Sequence, residues 1–239
     1  MNALVLAAGK STRIASASAG LPKPLLPIAG RPVVARTLEW LAASGIRDVW
    51  INLHYRADEI RAALSDGAAF GVRIQYAFEP EILGTAGAYR ALTSRFGGTT
   101  LVVYGDNLMW FDLAAFVAAH QRLRSAATIA LFDPDRHVNT GVAGGRVVMD
   151  AASRVTSFME GASNTGLVNV GAYLLEPRIA ESIGAGFQDF GRDVFPGQLA
   201  SGGISGYLID SAGYCLGLDT PESLRVAEHL ISAKQVALA

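Results

Sequence analysis

The sequence predicts an α/β protein: a Rossmann-like, doubly wound, mostly parallel sheet joined to a small β-rich lobe. Three observations lead there. Short apolar runs alternate with helical stretches through the first half, the pattern of buried parallel strands linked by crossover helices. Gly9 and Asp106 each fall just past such a run, where open α/β sheets bind ligands. From Ala127 onward, strands follow one another with little more than turns between them.

Taken in order, Ala3 to Ala8 reads as a buried strand that ends at Gly9. Val34, Leu38 and Leu41 recur at helical spacing, so Val33 to Ala43 is expected to be a helix stopped by Gly45. Val49 to Leu53 is the next strand, Ala57 to Leu64 a helix, and Val72 to Phe78 a third strand. Thr100 to Tyr104 is nearly all apolar and therefore central, and Asp112 caps a helix running to about Leu123. Strands are then expected at Thr128–Phe132, Val147–Met149, Val155–Met159 and Leu167–Leu175. Pro177 opens a short helix. Thr220 and Pro221 are the N-cap and first helical residue of the last one. No linker divides the chain, so residues 1–125 and 126–239 are read as halves of one domain.

Composition narrows the function classes. A formal net charge of -1 gives no electrostatic reason to expect a nucleic acid or an anionic membrane as partner. The single Cys215 excludes an internal disulfide and fits a reducing compartment. No apolar run approaches the roughly eighteen residues of a membrane span. Leu4 to Ala8 followed by Ala15-Ser16-Ala17 imitates a signal peptide, but Lys10 and Arg13 follow the apolar stretch instead of preceding it. The expectation is a cytoplasmic protein that keeps its N-terminus.

The chemistry is concentrated in two early blocks, Leu6-Ala7-Ala8-Gly9-Lys10-Ser11-Thr12-Arg13 and Pro22-Lys23-Pro24-Leu25-Leu26-Pro27. A glycine and small hydroxyl residues after a strand let backbone N–H groups approach an anion. Arg13 adds a planar cation and Lys23 a mobile one, a set suited to a polyphosphate. Gly9-Lys10-Ser11 mimics the end of a P-loop, but Leu4 stands where its first glycine should be. A carboxylate in Tyr104-Gly105-Asp106-Asn107, emerging at the sheet's carboxyl edge, is well placed to hold a divalent cation. His54 and His120 have no partnering pattern, and no Ser/His/Asp arrangement or Cys/His metal spacing occurs. Arg136 and His137 lie in a polar loop, Asp133 to Asn139.

The paired opening blocks resemble the L-A-A-G-x-G-T-R and P-K-P-L motifs of the sugar-1-phosphate nucleotidyltransferases, with Ser11 in place of the second glycine. Leu83-Gly84-Thr85-Ala86-Gly87 is similar to that family's L-G-T-A-G block, in the form found in guanylyl- and uridylyltransferases of the mannose, heptose and muramic acid type. Phe158-Met159-Glu160 resembles F-x-E-K, Asn169 to Leu174 resembles N-x-G-x-Y-L, and Phe190 to Pro196 echoes a structural segment ending in D-V-L-P. The resemblance implies that Leu6, Ala7, Ala8, Gly9, Ser11 and Thr12 bind the nucleotide, with Arg13 on the triphosphate and Lys23 at the α-phosphate. It places Gly84, Thr85 and Gly87 near the nucleobase, Glu160 and Asn169 on the sugar, and Mg²⁺ on Asp106.

Two departures stand out. The family's phosphate-binding lysine is replaced by Gly161, leaving Arg136 or His137 as possible counter-charges. The family's D-x-G-T-P-E, which carries a second metal aspartate, is here Gly217-Leu218-Asp219-Thr220-Pro221-Glu222. Residues two apart on a strand share a face, so a shift of roughly 7 Å could bring Asp219 to the metal; alternatively Asp219 caps the last helix beside Thr220. The implied activity is transfer of a nucleotidyl group from an NTP, GTP before UTP, to a sugar 1-phosphate, by a monomer or small homo-oligomer. A non-sugar phosphate acceptor, or non-catalytic binding of nucleotide sugars, stays open. Hexapeptide repeats are absent, so no left-handed β-helix or second activity is expected.

Overall fold

The computed structural model describes residues 1–10, 20–140, 144–161 and 166–236. The first half contains strands β1 (Asn2–Leu6), β2 (Pro27–Ile28), β3 (Arg31–Pro32), β4 (Asp48–Leu53), β5 (Arg73–Phe78), β6 (Thr100–Tyr104) and β7 (Asn107–Trp110). Its helices are α1 (Val33–Ala43), α2 (Ala57–Leu64), α3 (Gly84–Leu92) and α4 (Leu113–Leu123). The second half adds β8 (Ala127–Phe132), β9 (Val138–Asn139), β10 (Arg146–Met149), β11 (Val155–Met159) and β12 (Leu167–Leu175). It closes with α5 (Phe195–Gln198), β13 (Ile204–Leu208), β14 (Tyr214–Gly217) and α6 (Pro221–Ser232).

A nine-stranded sheet runs β11-β10-β12-β6-β1-β4-β5, with β8 and β13 joined through β12. Strands β6, β1, β4 and β5 are mutually parallel, as crossover helices require. Side chains on β1 alternate between two cores. Ala3 and Val5 pack with Leu38, Leu41, Ile60 and Phe116, whereas Leu4 packs with Tyr89, Phe96, Phe190 and Phe195. The same period of two recurs on β6, where Leu101 and Val103 face one core and Val102 the other. Both faces are thus covered by helices or turns, which is why these strands read as continuous apolar runs. Each fully buried Leu or Phe contributes roughly 1.5–3 kcal/mol.

β5 departs from that pattern. It is the sheet's edge, and Arg73, Gln75 and Phe78 are exposed on it. The β-rich second half is continuous with the first. Residues Ala172 to Leu175 of β12 pair antiparallel with β6, and Tyr173 to Leu175 pair on the other side with β8. A second, three-stranded sheet, β7-β14-β9, lies outside the main one and packs its own cluster of Ile28, Leu108, Leu216 and Leu218. Sequence periodicity misses β7, β13 and the β2–β3 hairpin. The hairpin strands are only two residues long, too short for a period to register.

Helix starts follow from capping. Asp112 accepts from the Ala115 N–H at the head of α4, as the sequence implies. Thr220 caps α6 in a reciprocal box with Ser223, and Pro221 takes the first helical position. Among the described residues, no helix is long and apolar enough to cross a membrane. Replacing Asp112 by Ala should cost about 1 kcal/mol, because the exposed cap is the side chain that serves the α4 terminus. The check is a urea titration: the midpoint should fall with unchanged slope, and an unmoved midpoint would show the cap to be idle.

Candidate functional site

Strands β1 and β6 end side by side, and the site grows from that edge. The Gly105 N–H donates to the Leu6 carbonyl at 2.9 Å. A Cβ at Gly105 would lie 2.8 Å from Val5 Cγ1 and 3.1 Å from the Leu6 oxygen, so only glycine permits this approach. The next residue is Asp106. Lys23 arrives from a turn of 3₁₀ helix, Lys23–Leu25, flanked by Pro22 and Pro24 and anchored by buried Leu25 and Leu26. Asp219 arrives from the end of β14, whose antiparallel register sets Gly217 opposite Asn107, the neighbour of Asp106.

The three side chains meet. Lys23 Nζ donates to Asp106 Oδ2 at 2.8 Å and to Asp219 Oδ1 at 2.6 Å. The lysine is only 7 % exposed. Burial alone would push its ammonium down, but the two carboxylates more than offset this and hold it above the ordinary lysine value. Asp219 is therefore not the helix cap: Thr220 and Ser223 fill that role. The carboxylate missing at position 217 enters from two residues further along. Cys215, beneath the pair, is buried, and its thiol is pushed up to about 12 by burial and then by Asp106 and Asp219. It is an inert core residue.

A cavity of about 230 Å³ opens beside this cluster. Leu6, Ala8, Gly9 and Asp106 line it together with Asn52, Glu79, Ile82, Gly84, Thr85, Tyr104, Phe187 and Asp189. Asn52 and Glu79 build a buried polar floor. Asn52 accepts from the Ala7 N–H at 2.9 Å and donates to Glu79 Oε1 at 2.8 Å, while Glu79 Oε2 accepts from the Leu83 N–H at 3.0 Å. That chain ties β1, β4, β5 and the approach to α3 together. Sequence reasoning passed over both residues, although a lone Asn in the apolar run Val49 to Leu53 is a usable signal. Ala7 is buried behind the floor and contributes its backbone.

The block 83–87 is held in a different way from a simple capped loop. Helix α3 starts at Gly84, with Leu83 before it. Thr85 is no cap: its hydroxyl donates to Asp189 and accepts from the Phe190 N–H. The Gln188 carbonyl takes the N–H groups of Ala86 and Gly87 at 2.9 and 3.1 Å. A Cβ on Gly84 would sit 2.5 Å from that carbonyl, and one on Gly87 2.7 Å from Gly186 O. Both glycines are thus required by the 186–188 segment. Gly84 and Thr85 reach the cavity wall, and Gly87 lies behind it.

Residues Ser11, Thr12 and Arg13 fall outside the described residues. Glu160 is exposed, yet its carboxylate lies against Gly191, where a Cβ would be 2.0 Å away. Burial and then Asp189 push that carboxyl up, with Arg192 opposing. Asn169 is not turned toward the cavity: it is buried, donates to Tyr173 Oη at 2.7 Å and accepts from the Gly171 N–H at 2.9 Å. His137 is structural, its ring bonded to Asp133 and to the Ile209 carbonyl, and Arg136 is exposed. His54 binds the Glu79 carbonyl, and buried His120 lies between Thr128 and Glu176.

Asp106 and Asp219 already share one cation, so a divalent ion there would find two oxygen donors converging on it. Among the described residues no group of three or more His, Cys, Asp or Glu stands together. Two carboxylates with water and substrate phosphates completing the shell suit a hard, partly hydrated cation.

Residues 2–228 match the nucleotidyl transferase family model, and the chain belongs to that family. It is 33% identical over 226 residues to a mannose-1-phosphate guanylyltransferase of Mycobacterium tuberculosis, covering 93% of this chain and 62% of that one. It is 31% identical over 176 residues to a D-glycero-alpha-D-manno-heptose 1-phosphate guanylyltransferase of Campylobacter jejuni, covering 73% and 76%. A UTP–glucose-1-phosphate uridylyltransferase of Synechocystis is 32% identical, covering 88% and 58%. The chain thus spans about 60% of the length of the mannose and glucose relatives. Among solved structures, HddC from Yersinia pseudotuberculosis complexed with GMP-PN aligns with a TM-score of 0.82 at 26% identity, covering 96% and 99% of the two chains.

With no nucleotide present, Lys23→Met should bind Mn²⁺ roughly tenfold or more tightly than the unaltered chain, since a competing charge is gone. Calorimetry or electron paramagnetic resonance reads the change. Adding Asp106→Asn or Asp219→Asn should each abolish the gain; a gain that survives Asp219→Asn would remove Asp219 from the donor set.

Proposed function

We propose that the chain transfers a nucleotidyl group from an NTP, GTP in preference to UTP, to a sugar 1-phosphate, releasing pyrophosphate and an NDP-sugar. What carries this reading is the convergence of Lys23, Asp106 and Asp219 at the carboxyl edge of β1 and β6, next to Gly9. The relatives named above as sugar-phosphate guanylyl- and uridylyltransferases support it, as does the family match.

An oxygen of the acceptor phosphate attacks the α-phosphorus, forming one P–O bond as the bond to the leaving pyrophosphate breaks. That oxygen is already anionic, so no side chain has to remove a proton. The protein's work is alignment and charge neutralisation. The backbone at Ala8 and Gly9, with Ser11, Thr12 and Arg13, holds the triphosphate, and Lys23 supplies positive charge at the α-phosphate. Asp106 and Asp219 would hold Mg²⁺, which when bound would neutralise phosphate charge.

The buried floor favours guanine. Its N1–H and N2–H₂ are adjacent donors, and the Glu79 carboxyl oxygens, which already accept from Asn52 and Leu83, lie there as acceptors. Uracil presents one N–H between two carbonyl oxygens, which the same carboxylate repels. Glu160 is the acceptor-side group on this reading.

Pyrophosphate release from a matrix of four NTPs against mannose-, heptose-, glucose- and N-acetylmuramate 1-phosphates tests the whole assignment, and silence across the matrix would reject it. Lys23→Ala and Arg13→Ala should each lower turnover by about two orders of magnitude or more, roughly 3 kcal/mol. Glu79→Gln keeps an acceptor for Leu83 but should shrink the preference for GTP over UTP by roughly tenfold. A clear preference of the unaltered chain for dTTP or CTP would overturn the base assignment.

A further inference from the structure

Phe187 is the feature left without a role. It is 52 % exposed, and it lines the cavity wall. Phe190, three residues on, is fully buried against Tyr89, Tyr173 and Phe195. The exposure of Phe187 is not that of a loose loop. Gln188 donates its N–H to the Leu83 carbonyl at 2.9 Å and accepts from Ala86 and Gly87, and Asp189 accepts from the Thr85 N–H. Gly84 and Gly87 leave no room between α3 and this segment. Gly186, at φ +78 with open space around its missing Cβ, makes the turn that precedes the ring. A clamped backbone therefore presents a half-exposed aromatic ring at the cavity wall. An apolar surface so held is arranged for a ligand.

The flank on which the ring stands identifies that ligand. Phosphate-binding groups sit at the ends of β1 and β6, in the middle of the sheet order. The Asn52–Glu79 floor is on the β4–β5 side, and Glu160, after β11, is on the other. Two residues past Asp189, Gly191 lies against the Glu160 carboxylate, so the segment that carries Phe187 borders the Glu160 side. A pyranose ring has one face of C–H groups and a rim of hydroxyls. The C–H face packs on an aromatic ring, and carboxylates such as Asp189 and Glu160 accept from the rim.

Resting on the sugar-phosphate reading, we infer that Phe187 is the shelf for the acceptor: the apolar face of the sugar 1-phosphate ring stacks on it, beside Asp189. The residue binds the acceptor and selects for a six-membered ring with an unobstructed C–H face.

Steady-state kinetics separate these roles, using GTP and whichever sugar 1-phosphate the unaltered chain turns over. Phe187→Ala should raise KM for the sugar phosphate roughly tenfold, with kcat and KM for GTP held within about twofold. Phe187→Leu, apolar but without a ring face, should behave like Phe187→Ala, and Phe187→Tyr should restore the original KM. Because the side chain is exposed, all three should melt at the temperature of the unaltered chain. A rise in KM for GTP alone, or no rise in either, would overturn the proposal. A binding readout does not depend on turnover: in Phe187→Trp, added sugar 1-phosphate should shift the indole emission in the presence of a non-hydrolysable GTP analogue, and the analogue alone should not. No shift on adding the sugar phosphate also overturns it. Absence of pyrophosphate release from the unaltered chain is a different failure, that of the transferase reading itself.

Discussion

Lys23, Asp106 and Asp219 are separated by 83 and 196 positions in the chain, yet one ammonium bonds both carboxylates. That contact sets where three unconnected stretches end. The proline-flanked turn must deliver Lys23 over the edge of β1, β6 must exit through Gly105, and the small sheet must carry the chain past Gly217. Two carboxylates facing each other at close range repel strongly, and burial sharpens the repulsion. The lysine, set between them, offsets much of that repulsion before any ligand arrives. It also means that a divalent ion entering there would compete with the ammonium for the same two acceptors.

Much of the fold was legible because its strands are buried on both faces and its helices carry clear end signals. Val33–Ala43, Ala57–Leu64 and Leu113–Leu123 form where spacing and caps put them. What could not be read was tertiary. The edge position of β5 depends on which strands pair. The branching of β12 depends on a strand nine residues long offering both edges, which no local pattern encodes.

At the site, Lys23 and Asp106 could be read from their motifs, since local sequence positions both. Asp219 was readable only as a choice between a cap and a ligand. The register of β14 on β7, and the Thr220–Ser223 box that relieves Asp219 of capping, decide its direction. Asn169, named by its motif as a sugar-side group, is held by hydrogen bonds to Tyr173 and to the Gly171 N–H within its own strand, contacts that the motif does not announce. Asn52, Glu79 and Asp189 had no motif to announce them. Their roles come from hydrogen bonds between elements far apart in sequence.

The branching of β12 has a mechanical meaning. A strand whose one edge is stitched to β6 and whose other edge is stitched to β8 is a shared beam between the two halves. Opening a hinge between them would shear ladder bonds in the interior of a sheet, where each broken pair leaves a dry donor and acceptor. Such a chain is stiff across its midline, unlike enzymes that clamp their substrates by folding two lobes together. Exclusion of water from a bound ligand would then fall to short surface segments and to the ligand itself, on a frame that barely deforms.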